Sequence, residues 1–174
     1  MPLPEYFRHI NIHTHNRAEG AGGRAIVSLM PGDDHSGLQR FSAGIHPWYA
    51  DRSDEQTWHT LENMAADPRC VAIGECGLDR RHTPAADYTT QLAVFERHIR
   101  LSEQLKKPLI IHNVAADADI LRLKKQYSPQ QPWIIHGYRG NSARAAHLQA
   151  AGLLLSTTQS TPSPDFLHET DSPA

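Results

Sequence analysis

The chain has 174 residues, of which 39% are hydrophobic and 21% charged, and its formal net charge at pH 7 is -2. This length suits one domain with a substantial core, so we expect a single domain over residues 1–174. The composition excludes an intrinsically disordered chain. The near-zero charge excludes a broad basic surface for nucleic acid, although bound cations could supply positive charge locally.

The sequence predicts a cytoplasmic protein. Its two cysteines, Cys70 and Cys76, offer no disulfide framework, which fits a reducing cytosol. No apolar stretch approaches the roughly 20 residues of a membrane span. The N-terminus lacks the basic and apolar regions of a secretory signal. We therefore expect no membrane contact.

Short apolar runs alternate with amphipathic helical patterns, which is typical of βαβ units and a parallel sheet. Eight runs are predicted as strands: 9–13, 25–29, 41–45, 70–75, 108–112, 133–136, 152–156 and 166–169. Helices are predicted over 55–66, over 86–106, over 115–126, and from Asn141 or Ser142 through Ala151.

Three links between predicted strands are too short for the usual crossover helix. About ten residues join strands 1 and 2, strands 2 and 3, and strands 7 and 8, where a parallel crossover usually takes a dozen or more. The chain also ends directly after the last strand. A full barrel takes about 250 residues. The predicted fold class is therefore α/β, a TIM-type (β/α)8 barrel of reduced form without several crossover helices and the C-terminal helix.

Five of the predicted strands end in residue types that bind divalent metals. These residues are His13, His15, Glu75, His112, His136 and Asp171. One such strand end means little, but five predict that several strand ends converge on one point. Neutral imidazole is a preferred ligand of zinc-like metals, and a carboxylate after a buried strand is costly unless it is paired or metal-bound.

Each of these residues also has a structural interpretation when it is taken alone. The histidine pair 13 and 15 could be a surface pair, and Glu75 could form a salt bridge with Arg80. Asp171 could belong to a turn. His46 follows strand 3 and is predicted to line the pocket and contact substrate, with a structural role equally open.

Six motifs in this chain occur in the order seen in the TatD family of metal-dependent hydrolases. They are His13-Thr-His15, Gly44-Ile-His-Pro47, Ile73-Gly-Glu-Cys-Gly-Leu-Asp79, Ile110-Ile-His112, Ile135-His-Gly137 and Glu169-Thr-Asp-Ser-Pro173. The chain therefore resembles that family, which belongs to the amidohydrolase-like TIM barrels and is best known for DNA hydrolysis.

The resemblance implies two divalent metal ions and a role for each motif. The first metal would be held by His13, His15 and Asp171, the second by His112 and His136, and Glu75 would bridge them. Asp171 and Glu75 would be the catalytic residues, with Asp171 accepting the proton of the attacking water. His46 and Asp79 would bind substrate. Histidine ligands favour zinc-like ions, while the carboxylates and a phosphate substrate also admit magnesium or manganese.

The chain departs from the family pattern in two ways that keep other functions open. Val114 stands where an arginine commonly follows the Ile-Ile-His motif, and the chain resembles a short or truncated form. DNA phosphodiester hydrolysis is the expected activity. The alternatives are a two-metal amidohydrolase or esterase acting on a small molecule, and an inactive metal-binding fragment. Missing helices would also expose the outer faces of strands 1, 2 and 8 as an apolar patch, which favours a homodimer.

Overall fold

The computed structural model describes residues 2–81, 86–159 and 165–174. Its sheet contains eight strands, each parallel to its neighbour, in the order in which they occur in the chain. The strands are β1 (Asn11–Thr14), β2 (Ala25–Leu29), β3 (Phe41–Ala43), β4 (Cys70–Asp79), β5 (Leu109–Val114), β6 (Trp133–Ile135), β7 (Leu154–Thr157) and β8 (Phe166–His168). All eight predicted strands are confirmed, and β4 continues beyond its predicted end.

The segment after β8 closes the sheet against β1. The Asp171 N–H donates to the His13 carbonyl at 3.1 Å, and the His15 N–H donates to the Ser172 carbonyl at 2.9 Å. The barrel is therefore completed by the residues that carry the last predicted ligand. The TIM-type barrel prediction is confirmed.

Four α-helices cover the side of the barrel where the sequence predicts them. They are α1 (Glu55–Ala66), α2 (Tyr88–Leu105), α3 (Asp117–Tyr127) and α4 (Ser142–Ala150). Helix α4 begins after Asn141, whose side chain accepts a hydrogen bond from the Arg144 N–H. Helix α2 begins after Asp87 because that carboxylate caps the Thr90 N–H. Residues 160–164, in the link between β7 and β8, lie outside the described residues.

Two apolar layers follow from the alternation of side chains along the strands. The inner layer fills the barrel and consists of Phe7, Ile12, Ile26, Ala72, Ile110, Ile134 and Leu167. Neighbouring strand residues such as Ile111 and Ile135 belong instead to the outer layer under the helices. Phe7 comes from a short 3-10 turn, Glu5–Arg8, and is fully buried in the inner layer.

The predicted apolar patch on the stripped side of the barrel is wrong for β1 and β2. Every residue of β2 is buried, and Val27 and Leu29 pack in the outer layer with Leu38 from the following link. The short links thus cover the strands without forming helices. Among the described residues, only Trp48 and Tyr49 are large exposed hydrophobic side chains. The homodimer stays a prediction, but it loses this support.

Within the described part of the chain, no helix has the length and apolar character needed to cross a membrane.

Candidate metal centre

The carboxylate of Glu75 lies at the centre of the predicted ligands. On one side, its Oε2 atom is 3.4 Å from His13 Nε2 and 3.5 Å from His15 Nε2. Asp171 Oδ1 lies 3.7 Å and 3.9 Å from the same two nitrogens. The three residues predicted for the first metal therefore lie together, next to the predicted bridging carboxylate.

The other oxygen of Glu75 faces three histidines at the ends of different strands. Its Oε1 atom is 2.8 Å from His112 Nδ1, 2.7 Å from His136 Nε2 and 3.2 Å from His46 Nε2. His46 Nε2 is also 3.2 Å from His112 Nδ1. His46, predicted to contact substrate, thus lies inside the ligand cluster itself.

Three sets of side chains in the described residues have donor atoms close enough to hold one ion, with all atoms of a set within 4.8 Å of one another. The sets are His13, His15 and Glu75; His13, His136 and Asp171; and His46, Glu75 and His112. The first joins His13 and His15, two of the predicted ligands of the first metal, to the predicted bridge Glu75, without Asp171. The others place His136 nearer to the first site and His46 nearer to the second than the resemblance implies.

Gly44, directly after β3, and Gly74, within β4, allow Glu75 to reach this position. A Cβ atom on Gly44 would lie 2.6 Å from the Glu75 carbonyl oxygen and 2.7 Å from Gly74 Cα, so only glycine fits between the two strands. The pairing of β4 with β5 also shifts register between Ile73 and Cys76. This irregularity lies at the residue that must turn its side chain into the barrel.

The cluster is arranged to hold charge. Burial acts to raise the pKa of Glu75, but the charge of His136 and the hydrogen bond with His112 hold that pKa well below its usual range. Burial likewise acts to lower the pKa of His136, but Glu75 and Glu169 outweigh it and raise that pKa well above normal. Without a bound cation, protonated His136 therefore compensates the buried carboxylates.

His13 supplies a direct test of whether the cluster fits a metal ion. Its side chain is fully buried, yet neither ring nitrogen has a hydrogen-bond partner among the described residues. Burial lowers the pKa of His13, which favours the neutral imidazole that binds metals. Buried polar atoms are normally satisfied, so this ring fits a metal ligand better than a structural histidine.

Two further carboxylates lie near the far nitrogens of the strand-end histidines. Asp79 Oδ2 lies 3.1 Å from His112 Nε2 and also accepts the Trp48 indole N–H at 2.9 Å. Glu169 Oε2 lies 3.7 Å from His136 Nδ1 and accepts the Ser156 hydroxyl at 2.8 Å. Carboxylates in this position fix the orientation of metal-bound imidazoles.

Asp79 is buried beside His112, and its predicted role in binding substrate stays a prediction. Glu169 was given no role from the sequence, although the Glu-Thr-Asp motif contains it. The signal that could have identified it is its spacing. It follows Leu167, an inner-layer residue, by two positions. Because side chains alternate along a strand, both residues point into the barrel.

A pocket of about 820 Å³ opens onto the cluster. Its walls include the cluster residues His15, Glu75 and Asp171, and the acidic side chains of Asp33 and Asp34. Among the described residues that line the pocket, Arg17 is the only lysine or arginine.

Arg17 is already engaged with its own surroundings. Its guanidinium donates to the carbonyls of Asp34 and Ser36 and lies 3.6 Å from the Asp34 carboxylate. The protein thus brings little positive charge of its own to this pocket.

A parallel barrel that gathers imidazole and carboxylate donors at the carboxyl ends of its strands has the architecture of the metal-dependent hydrolases. The family model described as TatD related DNase matches residues 33–174, and the chain belongs to that family.

Individual relatives agree with this membership. The chain is 34% identical over 119 residues to the uncharacterized metal-dependent hydrolase TatD of Mycobacterium tuberculosis, a match that covers 66% of this chain and 45% of that protein. It is 28% identical over 144 residues to the 3'-5' ssDNA/RNA exonuclease TatD of Erwinia billingiae, with 82% of this chain and 53% of that protein covered. The chain thus spans about half the length of these relatives.

A solved structure shares the fold. The TatD homologue YJJV of Escherichia coli superposes with a TM-score of 0.70 at 20% identity, covering 86% of this chain and 67% of that one.

Proposed function

We propose that this chain is a metal-dependent phosphodiesterase that hydrolyses single-stranded nucleic acid, DNA in the first place, and that residues 1–174 act as one hydrolase domain. The observation that carries the proposal is the convergence of five histidines on the single carboxylate of Glu75. The nuclease name of the Erwinia billingiae relative supports this class of substrate.

The donor set suits two divalent ions. Glu75 would contribute one oxygen to each, with His13 and His15 on one side and His112 on the other. Bound ions would activate a water molecule and neutralise phosphate charge, which the acidic pocket does not do by itself. Imidazole ligands favour zinc-like metals, and the carboxylates also admit manganese or magnesium.

Asp171 is the best-placed proton acceptor. Its side chain is 29% exposed, whereas that of Glu75 is 5% exposed. Asp171 also lines the pocket, and its backbone is held by the His13 carbonyl. A carboxylate at this boundary can contact both the buried histidines and a water molecule that enters from the pocket. Glu75 is therefore assigned to holding the ions and Asp171 to receiving the proton.

A second candidate function keeps the centre and changes the bond. Arg17 is salt-bridged to Asp34, and Val114 occupies the position where the resemblance implies an arginine. Because few cationic side chains are free to bind a phosphate group, the pocket also suits an ester or amide in a small molecule. An inactive metal-binding chain is the remaining alternative.

One experiment separates these functions. The metal-loaded chain is incubated with a 5'-labelled single-stranded oligonucleotide, its duplex form and a panel of small esters and amides, beside the isosteric variant Glu75→Gln. We expect the wild type to shorten the single-stranded oligonucleotide and the Glu75→Gln variant to leave it intact. Turnover of an ester without any oligonucleotide product would favour the second candidate. No turnover of any substrate, with metal bound, would favour the inactive chain.

We also propose that the protein is cytoplasmic, and the homodimer stays a prediction. Both cysteines are free and buried, which fits a reducing cytoplasm.

A further inference from the structure

The exposed aromatic side chains of this protein lie at the mouth of the candidate metal centre. Trp48 and Tyr49 are adjacent, are 37% and 38% exposed, and both line the pocket. No other large hydrophobic side chain in the described part of the chain is exposed. Exposed aromatic rings are costly to leave in water, and their confinement to one pocket mouth points to a ligand that covers them.

The two rings both lie close to an imidazole of the cluster. The centroid of Trp48 is 4.9 Å from that of His46, and the centroid of Tyr49 is 6.2 Å from it. His46 Nε2 is in turn 3.2 Å from Glu75 Oε1. Only the His46 ring therefore separates a group stacked on Trp48 or Tyr49 from the metal-binding atoms. A single nucleotide can span this distance from its base to its phosphate.

Both aromatic rings are held in place before any ligand arrives. The Trp48 indole N–H donates to Asp79, and the guanidinium carbon of Arg52 lies 5.2 Å from the centre of the Tyr49 ring. Both residues belong to the 3-10 turn Pro47–Arg52, which begins directly after His46. Rings that are already ordered lose little conformational entropy when a ligand binds.

The charge of the pocket indicates which part of a nucleic acid these rings contact. The lining includes Asp33 and Asp34, and Arg17 is its only lysine or arginine among the described residues. Proteins that bind single strands tightly normally combine a basic groove with aromatic stacking. The described lining of this pocket forms no basic groove, so stacking has to supply most of the affinity outside the metal–phosphate contact.

We propose that Trp48 and Tyr49 form a stacking platform for the base of the nucleotide whose phosphodiester is hydrolysed. The proposal rests on the proposed function and adds a specificity to it. The platform accepts any of the four bases, because each has a stacking face, and it discriminates against a substrate that lacks the base. Affinity should also depend weakly on salt, because few phosphates are neutralised by side chains.

The test uses single-stranded tetranucleotides that carry one abasic residue at each position in turn. For the wild type, we expect one abasic position to raise KM roughly tenfold, which is within the range of one base–aromatic contact. Tyr49→Ala should raise KM for the intact tetranucleotide by a similar factor. In this variant, an abasic residue at that position should cause no further increase in KM. Tyr49→Phe should restore both values because it keeps the ring.

Tyr127→Ala is the matched control, because Tyr127 lies at the end of α3 and is absent from the pocket lining. It should leave KM for every tetranucleotide unchanged. Equal KM values for intact and abasic tetranucleotides in the wild type would overturn the platform while leaving the proposed hydrolysis standing. Absence of hydrolysis of any tetranucleotide would count against the proposed function instead.

A binding measurement tests the platform even without turnover. Trp58 and Trp133 are 2% and 0% exposed, so quenching of tryptophan fluorescence by an added nucleotide reports mainly on Trp48. Thymidine monophosphate added to the metal-loaded chain should quench the fluorescence saturably, and Trp48→Phe should remove that signal. No saturable quench in the wild type would contradict the platform.

Discussion

Asp79 holds the imidazole of His112 from the side that faces away from Glu75. The Asp79 carboxylate lies 3.1 Å from Nε2, while Nδ1 of the same ring lies 2.8 Å from Glu75 Oε1. With an ion bound beside Glu75, the ring would donate its Nε2 proton to Asp79 and offer the Nδ1 lone pair to the ion. Glu169 lies behind His136 in a similar way, with the two ring nitrogens exchanged, but its Oε2 atom is 3.7 Å from Nδ1 and forms no hydrogen bond with it.

Asp79→Asn should lower the affinity for the metal ion near His112 by 10- to 100-fold, the usual effect of losing a carboxylate behind a ligating histidine. Competition with a chromogenic chelator measures this affinity directly. Asp51→Asn makes the same change of charge on the exposed surface of the 3-10 turn Pro47–Arg52 and should have no effect. Equal affinities for both variants would show that Asp79 does not position the ligand.

Metal binding should stabilise the folded chain. An ion that binds only the folded state adds about 2.7 kcal/mol to the free energy of unfolding at a concentration 100 times its Kd. Thermal melts of the wild type should therefore shift upward with added Zn²⁺. The Glu75→Gln variant should lose most of this shift, because the central carboxylate is gone. A shift of equal size in both proteins would indicate binding elsewhere.

His98 should make stability depend on pH. Burial lowers the pKa of His98 from 6.5 to about 4 in the folded chain. Its Nε2 accepts the Ile45 N–H at 3.0 Å, and its Nδ1 faces the Val94 carbonyl at 2.8 Å, so the ring is neutral. As the pH is lowered, the unfolded chain therefore binds the proton before the folded chain does. The contribution of His98 to stability is present above pH 6.5 and is lost as the pH falls toward 4.

Between these two pH values the loss should amount to at most about 3 kcal/mol in the free energy of unfolding. Urea unfolding of the metal-free chain at pH 7.5, 6 and 5 measures it. His98→Gln should be less stable at pH 7.5 and should have a smaller slope of stability against pH. An unchanged slope in this variant would contradict the assignment to His98.

Gly44→Ala should damage the centre through the backbone. The added Cβ would lie 2.6 Å from the Glu75 carbonyl oxygen, so β3 and β4 must move apart. We expect a loss of about 1–3 kcal/mol in stability, as for other overpacked sites, together with weaker metal binding. Gly32→Ala is a useful comparison because a Cβ there meets no atom within 4 Å, although its φ of 94° adds backbone strain. Weaker metal binding in Gly44→Ala alone would support the account.

The sequence predicted the elements whose pattern is local. An apolar run followed by His112 or His136 marks both a strand and its carboxyl end, and parallel topology then brings the two residues together. Helix α1 was predicted with the bounds it has, because four apolar residues share one face, and the structure adds that the Asp54 side chain caps it.

Contacts between distant segments could not be predicted in the same way. The cover of Val27 by Leu38 depends on the path of an irregular link, so the sequence wrongly indicated an exposed patch. The place of His46 inside the cluster depends on the close approach of β3 and β4 at Gly44, and the contact of Asp79 with His112 depends on their register. Neither of these contacts produces a periodic pattern in the sequence.

We propose that the strand ends of this barrel hold two divalent ions around Glu75. Equilibrium dialysis against Zn²⁺ or Mn²⁺, followed by elemental analysis, tests it most directly. We expect two ions per wild-type chain and at most one per chain of the Glu75→Gln variant. A wild type that retains no ion, or a variant that retains two, would contradict it.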